Sequence, residues 1–212
     1  QTMKLVIGNK NYSSWSMRPW VAMKMAGLDF AEERICLDQP DTRQKILAVS
    51  AAGRVPVLID GDTTLTQSGV ILDYISSKTG KLGGRSAAER REVLRWLFWD
   101  NHKLSTQVGT CRFLANFLPP EKRPEGVIPF LQGRLKAAYR VLDDHLATRQ
   151  WIVGQTPTIA DLSCCSYLYY PEPFGFDRKD WPHISRWLDG IAALPGWKHP
   201  YDMMPGNPSQ RA

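Results

Sequence analysis

The chain has 212 residues, of which 43% are apolar and 23% charged, so it is long enough for one large hydrophobic core or two small ones. No apolar run approaches the roughly 18 residues that a bilayer requires, and we expect no membrane segment. A net charge of +6 would suit nucleic acid, but the densest basic stretch, 85–95, is interrupted by Glu89 and Glu92. Such alternation is typical of a solvated helix face, and we expect no nucleic-acid partner.

The cysteines and histidines do not stand at the spacing of metal ligands. Cys36, Cys111, Cys164 and Cys165 include no C-x-x-C pair, and no two histidines are four residues apart. The sequence therefore predicts no metal site, and four buried free thiols. Free thiols favour a reducing compartment, and the start lacks the pattern of a secretory signal.

The first 77 residues alternate between the apolar periods of strands and of helices. Strands are predicted at 4–8, 30–37, 54–60 and 63–66, the last after the hairpin turn 60–62. Three helices are predicted. The first has Pro19 in its first turn and ends at Gly27, the second follows the polar segment 38–45, and the third spans 68–77. The last of these would bury Val70, Ile71, Tyr74 and Ile75. The order β-α-β-α-β-β-α predicts a compact mixed sheet with helices.

The second half of the chain has only the helical period. Residues 78–86 are polar and glycine-rich, which indicates a linker between a domain 1–77 and an all-helical domain 87–212. Helices are predicted at 87–117 with a bend near Gly109, and at 130–146, 158–170 and 183–194. Thr158 and Asp161 have the spacing of a capping box, to which we assign a role in folding. The predicted fold class is α/β plus all-α.

Two short motifs in the first domain are compatible with the binding of a small peptide. Val55-Pro56 stands at the start of a predicted strand, where a cis proline would turn the backbone and leave the preceding peptide groups free to pair with an extended ligand. Gln67-Ser68 precedes a helix, whose first N–H groups and serine hydroxyl favour an anion. Together they suit a peptide that has a terminal carboxylate.

These features, in this order, resemble the glutathione S-transferases. The resemblance is carried by residues 13–18 (Ser-Ser-Trp-Ser-Met-Arg), by 54–58 with 66–68, and by 154–161, and so extends over both domains. It implies an N-terminal thioredoxin-like domain, a C-terminal helical-bundle domain and a cytoplasmic homodimer that uses glutathione as co-substrate without a metal. The arrangement is similar to the serine-type classes (zeta, tau, theta and their bacterial relatives).

The resemblance places the catalytic serine five positions before Arg18, at Ser13. A thiol with a pKa of about 8.5 is only a few per cent ionised at neutral pH, and lowering that pKa by about two units takes roughly 2.7 kcal/mol. A hydroxyl that donates to the thiolate supplies about half to two-thirds of this, and the helix N-terminus supplies the remainder. Ser13 and its neighbours also suit simple capping of the helix, and Ser14 and then Tyr12 are the alternatives to Ser13.

By the same resemblance, five residues bind glutathione. The backbone of Val55, held by Pro56, would pair with the cysteinyl backbone of glutathione, while Ser68 would bind the γ-glutamyl carboxylate. Gln67 would meet the same γ-glutamyl group, at a position where many relatives have Glu. Arg54 stands where tau-like members have a lysine, and a solvent-facing role suits it equally well.

The residue that binds the glycine carboxylate of glutathione does not transfer from the family. Asp41 stands at the corresponding position, where a basic or amide residue is usual, and Arg43 and Lys45 are the nearby alternatives. Trp15 stands where the zeta class has a cysteine, which puts maleylacetoacetate isomerase activity in doubt. Trp15 offers an apolar wall near the sulfur or packs in the core.

The second substrate of such a protein is an electrophile, and its identity does not follow from the sequence. Tyr12, Trp15, Trp99 and Arg112 are the candidates, although Trp99 also suits the core; Arg112 would pair with an anionic electrophile or with an aspartate. The resemblance implies conjugation of the glutathione thiolate to a hydrophobic electrophile, with detoxification as the general role, and allows a peroxidase activity. The alternative is a non-catalytic protein of the same fold that serves as an interaction scaffold.

Overall fold

A computed structural model describes residues 2–8, 14–37 and 39–199. The chain divides into two compact units: the first comprises the described residues up to Gly83 and those from Leu194 onward, and the second comprises Gly84–Ala193. Among the described residues, no helix combines the length and apolarity needed to cross a bilayer.

The first unit is a four-stranded mixed sheet with three helices. Its elements are β1 (Met3–Ile7), α1 (Ser14–Met25), β2 (Phe30–Arg34), α2 (Thr42–Val49), β3 (Val57–Asp60), β4 (Thr63–Thr66) and α3 (Ser68–Thr79). The strand order is β2-β1-β3-β4; β1 and β2 are parallel, and the other two pairs are antiparallel. The predicted order β-α-β-α-β-β-α is confirmed.

Burial follows the position of each strand in the sheet. In the central strand β1, Leu5, Val6 and Ile7 are fully buried, as expected for a strand covered on both faces. The edge strand β2 is mostly exposed, and its Glu33 pairs with Lys4 of β1 at 2.7 Å. Charged side chains on an edge strand oppose pairing with another chain.

Several predicted boundaries in this unit are wrong. Helix α1 begins at Ser14, so that Pro19 lies inside the helix and not in its first turn; the residues before Pro19 lack an apolar period from which the start could be read. Strand β2 ends at Arg34, α2 begins inside the segment predicted to be polar, and α3 continues to Thr79, into the predicted linker. Val70 is 51% exposed because α3 buries the stripe formed by Ile71, Leu72, Ile75 and Ser76.

The second unit is entirely helical in its regular structure. It comprises α4 (Ala87–Trp99), a π-helix (Asp100–Leu104), α5 (Ser105–Asn116), α6 (Val127–Leu146), α7 (Ile159–Cys165) and α8 (Pro182–Ala192). Short 3-10 turns occupy Pro120–Lys122, Ser166–Tyr169 and Arg178–Asp180. The long predicted helix is interrupted at the π-helix and not near Gly109, where the helix continues.

Buried carboxylates fix the ends of two helices in this unit. The capping box of Thr158 and Asp161 at the start of α7 is confirmed. Asp161 also accepts hydrogen bonds from the Ile152 N–H at 3.0 Å and from the Trp187 indole at 2.8 Å. Asp143 of α6 accepts from the first N–H groups of α8. Because each carboxylate joins separate segments, these caps stabilise tertiary structure as well as helices.

The cysteines are free thiols, but they are not all buried. Cys111, Cys164 and Cys165 are buried in the helical unit, as predicted, whereas Cys36 is exposed in the loop after β2. The prediction for Cys36 is wrong because β2 ends before it, so that the residue no longer takes part in the sheet. In the part of the chain that the structure describes, no group of three His, Cys, Asp or Glu side chains has the arrangement of a metal site.

Candidate functional site

The two motifs that are predicted to bind a ligand lie at the same end of the sheet in the first unit. Val57, the first residue of β3, pairs with Thr66, the last residue of β4. Val55-Pro56 precedes this pair along the chain and Gln67-Ser68 follows it, so both motifs lie just beyond the last rung of the ladder. The peptide bond between Val55 and Pro56 is cis.

The start of α1 is tied to this same end of the sheet. Val6 of β1 pairs with Val57, so the C-terminal end of β1 lies beside the start of β3. The Gly8 N–H, just after β1, donates to the Ser16 hydroxyl at 3.1 Å, and this bond is buried. Ser16 therefore acts in the fold, by joining the first turn of α1 to β1. The predicted catalytic Ser13 and the alternative Tyr12 lie outside the described residues.

The backbone of Gln67, immediately before α3, is strained. Gln67 has φ 70° and ψ 120°, a backbone conformation that residues other than glycine seldom adopt. Ser68, the first residue of the helix, is buried, whereas the Gln67 side chain is exposed. Strain of this kind concentrates at ligand-binding positions, because the surrounding structure must hold it in place.

The basic residues proposed near the ligand have different environments. Arg54 is exposed, while Val55 is half-buried and Pro56 is buried. Lys45 pairs with Asp41 one turn earlier on the chain at 2.9 Å, and this hydrogen bond lowers the pKa of Asp41 and raises that of Lys45. The Lys45 cation is therefore already paired.

Trp15 and Arg18 form a stacked pair in the first turns of α1. The Arg18 guanidinium lies 4.1 Å from the centroid of the Trp15 ring, and Arg18 is only 1% exposed. The Arg18 cation thus covers one face of Trp15. Because Arg18 is buried, the attraction between the cation and the ring is stronger than it would be in water. The sequence identified both residues but not their contact.

The other two second-substrate candidates lie in the helical unit. Trp99 is half-buried at the end of α4, packs edge-on against Trp96 at 5.0 Å, and lines a cavity of about 290 Å³ with residues of α6. Arg112 is 3% exposed and pairs with Glu172 at 3.2 Å. Its guanidinium also stacks over Tyr170 at 4.0 Å. The expected aspartate partner of Arg112 is therefore a glutamate, which lies 60 residues away in sequence and gives no local signal.

Two features at the start of α5 and α1 escaped the sequence analysis. Asp100 is fully buried and accepts hydrogen bonds from the hydroxyls of Ser105 and Ser163. The role of Ser16 in holding Gly8 was also missed, since three serines near the start of a helix do not reveal which one faces the sheet. Both features involve polar groups whose partners become apparent only in three dimensions.

The sheet order, the short helices on it and the helical second unit define a thioredoxin-like domain joined to an all-helical domain. Comparison with known families agrees with this architecture: the model of the glutathione S-transferase N-terminal domain matches residues 12–78, and that of the C-terminal domain matches residues 112–195.

Individual proteins match along most of the chain. Glutathione S-transferase 4 of Zea mays is 31% identical over 207 residues, which cover 90% of this chain and 91% of that protein. The disulfide-bond oxidoreductase YfcG of Escherichia coli K12 is 26% identical over 160 residues, covering 72% and 74%. A crystal structure of a glutathione S-transferase from Xanthobacter autotrophicus Py2 has a TM-score of 0.82 at 30% identity, covering 93% and 96%. The chain therefore belongs to the glutathione S-transferase family.

Proposed function

We propose that this chain is a glutathione transferase of the serine type, in which Ser13 holds the sulfur of glutathione as a thiolate. The observation that carries the proposal is the convergence of three segments at one end of the sheet: the start of α1, Val55-Pro56 and Gln67-Ser68. These are the segments that resemble the glutathione-binding parts of the family. A tripeptide bound there would lie beside the N-termini of both α1 and α3.

The γ-glutamyl end of glutathione is assigned to the start of α3. This helix has 12 residues, and its first N–H groups have no partner within the helix, so the helix dipole and the Ser68 hydroxyl favour a carboxylate. The strained backbone of Gln67 holds its side chain outward, next to Ser68, where its amide can hydrogen-bond the same γ-glutamyl group.

The cysteinyl part of glutathione is assigned to the backbone of Val55. Because the β3–β4 ladder stops at Val57 and Thr66, Val55 lies beyond it, and its peptide groups can pair with an extended ligand in the manner of an added strand. Arg54 precedes it in an exposed position, from which its cation can approach a ligand carboxylate.

The reaction is nucleophilic attack by the thiolate on an electrophilic carbon. The glutathione thiol loses its proton to solvent, the sulfur forms a bond to carbon, and the leaving group departs with the bonding electron pair, or an acceptor double bond takes it up. The Ser13 hydroxyl donates a hydrogen bond to the thiolate and stabilises it without losing its own proton. The start of α1 adds the favourable field of a helix N-terminus.

Conjugation of glutathione to a chlorodinitrobenzene tests the proposal directly. We expect Ser13→Ala to lower kcat/KM by about 10–20-fold, because the hydroxyl supplies about half to two-thirds of the roughly 2.7 kcal/mol that holds the thiolate and the helix N-terminus remains. Ser14→Ala, at the alternative position, should retain most of the activity. Ultraviolet titration of bound glutathione should show the thiol pKa rising in Ser13→Ala; full activity with an unchanged thiol pKa would refute the role of Ser13.

Binding of glutathione is tested separately with Ser68→Ala. Loss of the buried hydroxyl should raise KM for glutathione about tenfold and leave KM for the electrophile nearly unchanged. Ser77→Ala, in an exposed position on the same helix, is the matched control and should behave as the wild type. If neither the wild type nor the control binds glutathione, the interaction-scaffold function replaces the transferase.

The same thiolate also suits two related reactions. Attack on a hydroperoxide gives an alcohol and a glutathione sulfenic acid, which a second glutathione converts to the disulfide with release of water. Attack on a disulfide exchanges one thiol for another, and the relative YfcG is named a disulfide-bond oxidoreductase. Assays with cumene hydroperoxide and hydroxyethyl disulfide, run beside the conjugation assay, rank the three activities.

We further propose that the protein is a homodimer, as the resemblance implies. The helical unit exposes the large apolar side chains of Phe98, Phe113 and Phe130, at 75%, 52% and 63% respectively. Aromatic side chains are enriched at protein interfaces, and these three are the ones that we expect a contact between two copies to bury. Light scattering coupled to size-exclusion chromatography should give twice the 24.0 kDa mass of the chain, and a monomer mass at micromolar concentration would contradict the proposal.

A further inference from the structure

The helical unit contains a groove of about 530 Å³ between α6 and the segment 175–181. We call it the α6 groove and define it by six of its lining residues: Lys136, Tyr139, Arg140, Asp144, Asp180 and Trp181. Its volume lies in the range of small-molecule sites, which is about 300–1,000 Å³. None of these residues has a part in the function proposed above.

The charged side chains that line the α6 groove are not neutralised by ion pairs, although the Arg140 guanidinium lies 5.6 Å from the centroid of the Trp181 ring. Within the described residues, Lys136, Arg140, Asp144 and Asp180 form no ion pair with one another or with other groups. Elsewhere in the same unit, Arg178 is paired with Asp189 and Arg112 with Glu172. Asp143, which also borders the groove, differs from Asp144 because it caps α8.

Two aromatic residues form the apolar wall of the groove. Tyr139 and Trp181 are 1% and 7% exposed, and their ring centroids are 5.8 Å apart. The hydroxyl of Tyr139 is buried and has no hydrogen-bond partner among the described residues. Buried hydroxyls without a partner are uncommon in folded proteins, and each one calls for an explanation, such as a bound water or ion or a functional role.

The positions of the positive and negative side chains along the groove indicate how far apart the charges of a ligand should be. The cations stand on two successive turns of α6, at 136 and 140, and the anions follow at 144 and, from the facing segment, at 180. Along the helix axis, Arg140 and Asp144 are about 6 Å apart, and Lys136 and Asp144 about 12 Å. A peptide of two or three residues spans about 7–10 Å between its charged ends.

We propose that the α6 groove binds a short zwitterionic peptide of two or three residues with an aromatic side chain. Its carboxylate faces Lys136 and Arg140, its amino group faces Asp144 and Asp180, and its ring packs against Trp181. The ligand thus pairs both sets of charges at once, and a molecule with one charge satisfies only one set. This proposal is independent of the transferase function, because the groove uses none of the residues assigned to glutathione.

Isothermal titration of the full chain with the tripeptide Gly-Phe-Gly tests the proposal, without glutathione present. Two blocked peptides are the matched ligands: N-acetyl-Gly-Phe-Gly keeps only the carboxylate, and Gly-Phe-Gly-amide keeps only the amino group. We expect each blocked peptide to bind about tenfold more weakly than the zwitterion, since each loses one charge-assisted contact.

Charge-neutral variants of the groove locate the binding site. Arg140→Gln should weaken binding of Gly-Phe-Gly and of the acetylated peptide about tenfold, but leave the amidated peptide unaffected. Asp144→Asn should have the reverse pattern, weakening Gly-Phe-Gly and the amidated peptide only. Arg134→Gln is the control, because Arg134 is also on α6 but bonds Gln107 and does not line the groove.

The crossed pattern separates a specific site from general attraction between charges. The proposal is overturned if Gly-Phe-Gly does not bind at millimolar concentration, or if it binds no better than the blocked peptides. It is also overturned if Arg134→Gln weakens binding as much as Arg140→Gln does, because the site would then lie outside the groove. Circular dichroism of each variant confirms that the fold is retained, since all the substituted residues are exposed.

Discussion

The hydroxyl of Ser105 donates to Oδ1 of Asp100, five residues earlier in the chain, at 2.5 Å. Five residues is also the spacing of π-helix hydrogen bonds, and the Ser105 N–H bonds the Asp100 carbonyl. The same residue pair therefore closes the π-turn with its backbone and with its side chains. The other carboxylate oxygen of Asp100 accepts from Ser163 of α7 at 2.7 Å, so one buried side chain connects the π-helix, α5 and α7.

Asp100→Ala should lower the free energy of unfolding by about 3 kcal/mol, because it removes the acceptor of two buried hydroxyl donors. Ser105→Ala should cost less, about 1–2 kcal/mol. Thr106→Ala is the control, since its exposed hydroxyl bonds the Asn101 carbonyl with the same spacing, and the expected change is under about 0.5 kcal/mol. Urea unfolding measures all three; equal effects of Ser105→Ala and Thr106→Ala would show that the carboxylate has no special part.

Two helical glycines should respond in opposite directions to alanine. A Cβ at Gly109 would lie 2.6 Å from the Tyr167 hydroxyl oxygen and 2.9 Å from its ring, so Gly109→Ala forces the tyrosine to move and should cost about 1–3 kcal/mol. A Cβ at Gly133 meets no atom within 4 Å, and Gly133→Ala should stabilise the protein by about 0.5–1 kcal/mol. Thermal unfolding distinguishes the two variants, and a stabilised Gly109→Ala would contradict the packing.

The sequence predicted those features whose signal lies within a few residues. The capping box at Thr158 and Asp161, the turn before β4 and the pair of motifs Val55-Pro56 and Gln67-Ser68 are local, and each depends on backbone chemistry that particular residue types require. The order of elements in the first unit followed from apolar periodicity. Boundaries failed where polar residues form part of an element, as at the start of α1.

Features that depend on distant partners could not be predicted. A π-turn keeps the chain helical and has no residue signature of its own, so the sequence 87–117 reads as a continuous helix. The pairing of Arg112 with Glu172 joins residues far apart in sequence, and burial of Asp100 contradicts the usual exposure of aspartate. The bend expected near Gly109 assumed that the glycine serves the backbone, whereas it provides space for Tyr167.

His145 should titrate below its ordinary pKa. Burial lowers the pKa of its imidazole from 6.5, because the charged form is poorly solvated against Trp96, whose ring centroid is 4.5 Å away. Nε2 lies 2.7 Å from the Ile152 carbonyl oxygen, which the neutral ring satisfies by donating its N–H. The stability provided by the neutral form is present above pH 6.5 and is lost as the pH falls through the folded pKa. An NMR titration of the ring protons checks this; a midpoint above 6.5 would contradict it.

Ionisation of Asp161 should lower the free energy of unfolding as the pH rises from about 4 to about 6. Complete burial raises the pKa of its carboxyl from 3.8 to about 6, although hydrogen bonds from Ile152, Thr158 and Trp187 favour the charged form. Because the folded pKa is above the unfolded one, the folded state binds more protons between these two values. The stabilisation is present below about pH 4 and is lost as the pH rises through about 6.

Asp161→Asn isolates this titration, since all other ionisable groups are common to both proteins. The asparagine variant should be the less stable protein at every pH, because its amide group places donors against the N–H groups that Asp161 accepts from. From pH 4.5 to 6.5, the stability of the wild type relative to the variant should fall by about 2 kcal/mol. Urea unfolding at several pH values measures this difference. If the difference instead grows as the pH rises, the folded pKa of Asp161 lies below its unfolded value, and the hydrogen bonds outweigh burial.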